Sequence, residues 1–450
     1  MTPTDRWMTA DEAARHLGVS RATLYAYVSR GLLQREAESA NGPGARRSRY
    51  RADSVLRLAA QRRAARNPRQ AAQATLDWGL PVLSSSLTLI DSGRLHYRGK
   101  DAEALADHAT LEEVAALLWQ VDVADLARLA VQPEVLGAEP AARLLAPWRT
   151  AATPGPQRSL ATMQALLAAQ SLASAEGAAR PAAAQPSADA AIAEALALLS
   201  TMRAATSQRA VPSARLRAAP LHRRLQAVWQ LNDPQADLLR RALVLCADHE
   251  LNASSFTARC VAATGAGLPA CVLSGLGALS GPRHGGVTAR LEVRWPEWMH
   301  AAGDARRLRR LVGALVAPPV EGSGRRVVRE TAFTVGFGHP LYPQGDPRAR
   351  HLLERLPPHP PVTRLLREVQ AQTGWAPTVD FALVALRHAL GLPEGAAFAL
   401  FAIGRTVGWI AHALEQRAQG RLIRPRAAYV GERPAVAGTE ATTGRVVRRR

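Results

Sequence analysis

Through most of the chain, apolar residues recur every three or four positions, and stretches that alternate every second residue are few. The first helical stretch follows Thr9, where Thr9-Ala10-Asp11-Glu12 reads as a capping box with Thr9 as the cap and Glu12 at the third helical position. Ala13, Ala14 and Leu17 then form one apolar stripe. Gly18-Val19-Ser20 predicts a tight turn, and Ser20 is placed to cap a second helix running to about Arg30. On that helix Leu24 and Val28 point inward with Leu17, while Arg21, Ala22, Tyr25 and Ser29 point outward. An Asn41-Gly42-Pro43-Gly44 turn precedes the run ARRSRYR, and Asp53 is placed to cap a further helix. Residues 62–77, rich in Arg, Ala and Gln around Pro68, read as a linker. From Trp78 the character changes. Residues 84–120 predict a strand, a turn at Asp91-Ser92-Gly93, a second strand and one helix carrying Val114, Leu117 and Leu118. RPAAAQPSADAA, residues 180–191, predicts a surface loop. The rest, to about residue 430, alternates helical periodicity with Gly/Pro breaks and contains no internal repeat.

Composition adds three constraints. At 450 residues the chain is long enough for two or more domains, and its low aromatic content with abundant alanine favours helices over sheets. The acidic residues Asp5, Asp11 and Glu12 fall where a signal peptide would lie. The Ala/Leu stretches are broken by arginine well before the ~18 residues of a membrane span, so a cytoplasmic protein with no membrane partner is expected. Cys246, Cys260 and Cys271 are odd in number and contain no C-x-x-C pair, which predicts buried or idle thiols in a reducing compartment and no metal site.

The net charge of +20 is almost entirely arginine, because Lys100 is the only lysine. It is also unevenly spread: residues 1–70 hold 14 Arg against 6 Asp/Glu, a density several-fold above that of the remaining chain. The segment TADEAARHLGVSRATLYAYVSRGLL, followed by ARRSRYR, resembles the helix-turn-helix and basic wing of MerR-type and excisionase-type winged helices. The resemblance implies a DNA-binding domain over residues 1–61. Arg21 and Tyr25 would lie on the helix that enters the major groove, with Arg46, Arg47 and Arg49 in a phosphate-contacting wing. The alternative is a helical hairpin used for docking or dimerisation. The terminal Arg448–Arg450 run reads as a solvated tail within residues 441–450.

Three later segments carry the chemistry. Gly-Pro-Arg-His284-Gly-Gly strips the backbone beside a histidine of side chains, which predicts close approach of a ligand. Gly-Phe-Gly-His339-Pro repeats the arrangement, with Arg348 nine residues on. Asp380 stands alone in an apolar surround, and Arg405 and Arg424 follow. Two histidines, a solitary carboxylate and three spaced arginines imply proton transfer on a polycarboxylate.

Together with LIDSGRLHYRGKDAEALA near residue 95, these segments resemble the citrate synthase family, which includes 2-methylcitrate synthases, over about residues 80–431. The resemblance implies an all-α, two-domain fold behind the N-terminal module. A large domain would combine 78–287 with 395–440, and a small one would span 288–394. It implies Claisen condensation of acetyl-CoA, or another short acyl-CoA, with oxaloacetate, coenzyme A being carrier and leaving group and no cofactor staying bound. Asp380 matches the base that deprotonates the thioester methyl, His284 the donor to the thioester oxygen, and His339 the group polarising the 2-oxo carbonyl. His249, Arg348, Arg405 and Arg424 match the oxaloacetate ligands. The last of these reaches in from a neighbouring subunit in the family, which implies a homodimer.

Four positions depart from the family pattern. Thr288 stands where Asn is usual, Pro340 where Arg is usual, Pro343 where a basic residue faces the coenzyme phosphates, and Thr378 where Asn precedes Val-Asp. The competing reading is a transcriptional regulator whose synthase-like domain senses a tricarboxylate or acyl-CoA; retention of the base argues against it.

Overall fold

The computed structural model describes residues 7–29, 33, 35–38, 47–51, 55, 58–59, 83–130, 156–176, 188–206, 219–316, 335–427 and 429–432. The predicted linker, the Asn41–Gly44 turn, Arg46, Asp53 and the terminal arginines lie outside these residues.

The N-terminal module packs strand β1 (Trp7–Thr9), helices α1 (Ala10–Leu17) and α2 (Arg21–Ser29), and strands β2 (Arg35–Glu38) and β3 (Arg47–Arg51). Thr9 and Glu12 form the reciprocal capping box, and Gly18 closes α1 in the left-handed region at φ 60°. Ser20 caps the second helix by accepting from the Thr23 amide. The strands form an antiparallel sheet in the order β1-β3-β2. Met8, Ala13, Ala14, Leu17, Leu24, Leu33 and Tyr50 bury a separate small core.

The main body begins with a second antiparallel sheet, β4 (Thr88–Asp91), β5 (Arg94–Tyr97) and β6 (Lys100–Asp101). The predicted single helix after it is two: α3 (Ala102–His108) and α4 (Leu111–Trp119). The break has a local cause, because Thr110 and Glu113 form a capping box that starts the second helix. There follow α5 (Val123–Ala130), α6 (Pro156–Glu176), α7 (Ala188–Ala204), α8 (Leu221–Trp229), α9 (Asp233–Cys246), α10 (Ala253–Ala262) and α11 (Leu268–Leu279). Next come α12 (Val287–Ala301), α13 (Ala305–Val316), α14 (Pro347–Leu353), α15 (Pro360–Thr373), α16 (Val379–Ala389) and α17 (Ala396–Gln419). The first turn of α7 takes residues 188–191 from the stretch predicted as loop, since the Ala/Leu periodicity of that helix already begins there.

Helix α17 is the axis of the body, and α6, α7, α9, α10, α11, α4 and α16 all pack on it. Despite Arg405 it is long and apolar enough to cross a membrane by length and composition, against the expectation that arginine breaks every such stretch. Its apolar window is instead 94% buried inside the fold. Two glycines let it approach α9 at backbone contact. A Cβ on Gly404 would lie 2.7 Å from the Leu243 carbonyl, and one on Gly408 would lie 2.5 Å from the Ala247 carbonyl. One apolar cluster, from Leu87 to Ala413, runs across both sides of the predicted division at 287/288 and 394/395. Cys246 and Cys271 are buried within it, Cys260 is half-buried, and all three are free thiols. Burial pushes Cys246 up to about 12 and Cys271 up to about 11, so neither presents a thiolate near neutrality.

Candidate active site

The site residues come from five chain segments whose backbones are fixed before any side chain is considered. The turn carrying His284 is closed by the His284 amide donating to Gly281 O at 2.9 Å and the Gly286 amide donating to Leu279 O at 3.2 Å. A Cβ on Gly285 would lie 2.7 Å from Leu279, and one on Gly286 would lie 2.6 Å from the Ser280 carbonyl. The packing of the turn itself therefore requires glycine at both positions. Thr288, one of the departures, is buried and returns its hydroxyl to Gly285 O at 2.8 Å.

His339 and Asp380 are presented by the two sides of one short β-bridge. Phe337 pairs antiparallel with Pro377, the Gly338 amide donates to Ala376 O at 2.8 Å, and the Thr378 amide donates to Gly336 O at 2.9 Å. His339 follows the first side and Asp380 begins α16 after the second. Gly336 holds φ 85° against Leu291, so this bridge depends on glycine there. Arg348 is placed by α14, whose N-terminus is set by Asp346 as cap and Pro347 in the first turn.

His249 projects from the bend after α9. Its Nε2 lies 3.0 Å from the Tyr342 hydroxyl, its ring meets the His339 ring edge-on at 5.1 Å, and the His339 and Tyr342 rings are 5.0 Å apart. Arg348 stands over the Tyr342 ring at 5.6 Å, and Arg405 over Phe401 at 5.1 Å. The His284 ring meets that same Phe401 at 6.1 Å. Sequence reasoning missed Tyr342, Asp346, Ser254 and Asn252. Asp346-Pro347 is a helix-start signal that was legible; nothing in the sequence pointed to the others.

His284 Nε2 has two neighbours, Ser254 Oγ at 2.9 Å and Asn252 Oδ1 at 3.2 Å. Trp409 Nε1 donates to the same Ser254 oxygen at 3.0 Å. That leaves one hydroxyl proton on Ser254 to give either to Asn252 or to the imidazole. Arg348 is held by Asp346 through Nε at 2.9 Å and Nη2 at 2.8 Å, and Asp346 also accepts the Val379 amide at 2.9 Å. The Arg348 fork is thus already engaged, leaving Nη1 outside that pair. Arg405 donates Nε to Cys246 O at 3.0 Å, while its buried Nη2 has no partner among the described residues.

Burial dominates the electrostatics. It drives His284 down to about 3 and His339 to about 4, with Arg348 adding to both shifts, and holds His249 well below its ordinary value. All three imidazoles are neutral at physiological pH. Burial acts oppositely on Asp380, raising it to about 7 against the pull of Arg348. Its position in the first turn of a helix would favour the charged form, yet desolvation wins. Thr378, another departure, directs its hydroxyl to Asp380 Oδ2 at 3.3 Å, while Oδ1 has no partner among the described residues. The charge of Arg348 contributes to the shift of all four of these groups.

The remaining predicted residues lie elsewhere. Arg424 is exposed in the extended segment after α17, and Pro340 and Pro343 are exposed beside the site. In the N-terminal module Tyr25 is 46% exposed, and Arg21 forms a bidentate pair with Asp11 across the turn. That guanidinium holds the Asp11 carboxyl below its ordinary value. Arg49 is exposed at the middle of the central strand β3, whose register sets it opposite Glu36 and Thr9; the same strand carries Arg47 opposite Glu38.

Residues 75–426 match the family model described as citrate synthase, C-terminal domain, and residues 7–63 match a helix-turn-helix domain model. The chain is 28% identical over 390 residues to citrate synthase 2 of Bacillus subtilis, covering 78% of this chain and 94% of that protein. It is 34% identical over 204 residues to a 2-methylcitrate synthase of Shewanella oneidensis, covering 43% of this chain and half of that protein. Its fold superposes on the crystal structure of citrate synthase from Thermotoga maritima with a TM-score of 0.61 and 25% identity, covering 80% and 96% of the two chains. A match over most of the chain, on a helical body that assembles the buried histidines, arginines and aspartate described above, identifies it as a member of the citrate synthase family with a helix-turn-helix domain at its N-terminus.

Proposed function

We propose that the chain condenses a short acyl-CoA, acetyl-CoA first among them, with oxaloacetate and water to give a citrate-type tricarboxylate and free coenzyme A. The observation that carries this reading is Asp380: a buried carboxylate with Oδ1 unpartnered and a proton affinity near neutrality, beside neutral histidines and arginines. A carboxylate made basic by desolvation suits removal of a proton from a weak carbon acid.

In this reading His284 donates to the thioester oxygen as negative charge develops there. A neutral imidazole donates from Nδ1 only if Nε2 is the acceptor, which requires Ser254 to give its single hydroxyl proton to His284 and not to Asn252. His339 polarises the 2-oxo carbonyl. Its Nδ1 accepts the Leu341 amide at 3.2 Å, so the ring proton lies on Nε2. His249, Arg348 and Arg405 hold oxaloacetate, the free Nη2 of Arg405 being a ready carboxylate donor. Arg424 completes the clamp from a neighbouring copy of the chain in a homodimer. A small lobe, 288–394, closes over the large one to exclude water from the thioester. Coenzyme A is carrier and product, and the loss of basic character at Pro343 bears on acyl-CoA affinity and acyl preference. The N-terminal module binds DNA through α2 and the basic strand β3, its outward Tyr25 and Arg49 supporting that reading.

Thiol release from acetyl-CoA and propionyl-CoA, with and without oxaloacetate, tests the enzyme directly. Turnover is expected only with oxaloacetate, and a folded protein that binds oxaloacetate yet releases no thiol is a sensor. Because Asp380 must be ionised, kcat/KM for the thioester is expected to fall as pH drops through about 7. The two catalytic histidines, which protonate only near about 3 and about 4, add no limb in that range. Asp380→Asn is expected to lower kcat by about 10²–10⁴-fold.

Ser254→Ala leaves His284 Nε2 facing only the Asn252 carbonyl, which draws the ring proton to the wrong nitrogen. We expect kcat to fall about tenfold with oxaloacetate affinity unchanged; unchanged kcat removes the tautomer argument. In gel-shift titrations of the full chain, Arg21→Ala with Tyr25→Ala is expected to weaken DNA binding by at least about tenfold. Binding indifferent to both removes the recognition-helix assignment.

A further inference from the structure

Behind the histidines lies a second group of buried polar side chains that the proposed reaction does not use. Asp248 and His412 are both fully buried, with Asp248 Oδ1 3.3 Å from His412 Nε2. The other carboxylate oxygen accepts the Thr88 hydroxyl at 2.5 Å. Asp248 and His412 meet at contact distance without an aligned hydrogen bond, and among the described residues neither His412 nitrogen nor Asp248 Oδ1 has a hydrogen-bond partner. A buried carboxylate is expensive to keep unless its partners are worth more than hydration. Burial alone would raise Asp248, yet His412, Arg405 and Thr88 together hold it below its ordinary value.

The location of this pair matters. Asp248 is adjacent in sequence to His249, and His412 lies two turns beyond Arg405 on α17, with Gly408 between them. A Cβ on Gly408 would run into Asp248 Oδ1, so the carboxylate fills the space that glycine leaves. The bend that holds Asp248 is tied down from three other sides. Tyr97 donates its hydroxyl toward the Val244, Leu245 and Asp248 carbonyls, the Gly408 amide donates to Ala247 O at 3.0 Å, and Arg405 Nε donates to Cys246 O. Glu250 then turns the chain at φ 55°, a left-handed conformation that a non-glycine residue adopts only when its surroundings impose it.

We infer that Asp248, held between Thr88 and His412, is a positioning residue that sets His249 and Arg405 in register with each other and balances the charge of Arg405 from behind. The two ligands come from different elements, the bend after α9 and the middle of α17, and this contact joins those elements directly beneath both. The inference rests on the reading of His249 and Arg405 as oxaloacetate ligands. A device of this kind acts on oxaloacetate affinity and leaves recognition of the acyl-CoA untouched.

The test is oxaloacetate binding by calorimetry together with steady-state kinetics at saturating cosubstrate, on the full chain. Asp248→Asn and His412→Leu are each expected to weaken oxaloacetate about tenfold, with the acyl-CoA KM within twofold of the parent. His412→Gln, which returns an N–H donor near the carboxylate, is expected to recover most of the loss. Variants that fold and bind oxaloacetate within twofold of the parent overturn the inference. So does a parallel decline of both KM values and kcat that tracks thermal stability, with no recovery in His412→Gln. If Asp248→Asn fails to fold, Thr88→Val and the two His412 variants decide the question by the same readouts. Failure of the underlying reading looks different, because the parent protein itself then binds no oxaloacetate.

Discussion

Removal of water from the junction of α9, α14, α16 and α17 is the condition on which the rest of the site depends. Ordinary imidazoles titrate near neutrality and ordinary carboxylates near 4; at this junction the order is inverted, with His284 and His339 far below Asp380. No unusual chemical group is needed for this. Low dielectric disfavours whichever form is charged, so the same burial empties histidines of protons and fills the aspartate. The arginines stay charged because each is anchored, Arg348 by the Asp346 carboxylate and Arg405 by the Cys246 carbonyl with Asp248 nearby.

Such a site requires backbones that approach closely, and glycine supplies them where side chains would collide. Gly404 and Gly408 let α17 meet the end of α9, and Gly336 lets the His339 segment bridge to the segment leading into Asp380. The departures from the family pattern sit in this framework without disturbing it. Thr288 closes the turn beside His284, and Thr378 offers Asp380 one hydroxyl while leaving Oδ1 bare. The prolines at 340 and 343 are exposed and stand outside the buried cluster.

Much of this was legible in the sequence because the signals were local. The capping box at Thr9, the turn at Gly18 and the inward Leu24 each depend on a few neighbouring residues. The Thr110 box that divides α3 from α4 is just as local, but the Ala/Leu periodicity on either side hides it. Long-range partners left no trace. The Tyr342–His249 and Asp248–His412 contacts join residues 93 or more positions apart, so no spacing rule could find them. The glycines flanking His284 were legible as a requirement, and the packing of their own turn gives a reason for them that no sequence shows. Arg424 is a different case, since its proposed role lies in a neighbouring copy, and one chain shows only that it is exposed.

Desolvation of Asp380 is the central element of this account, and its titration can be observed directly. An infrared or carbon-13 difference spectrum between the parent protein and Asp380→Asn isolates that one carboxyl as pH is varied. A midpoint near 7 is expected for the unliganded protein. A midpoint near the ordinary carboxylate value of about 4 would contradict it, because Asp380 would then be no stronger a base than an aspartate in water.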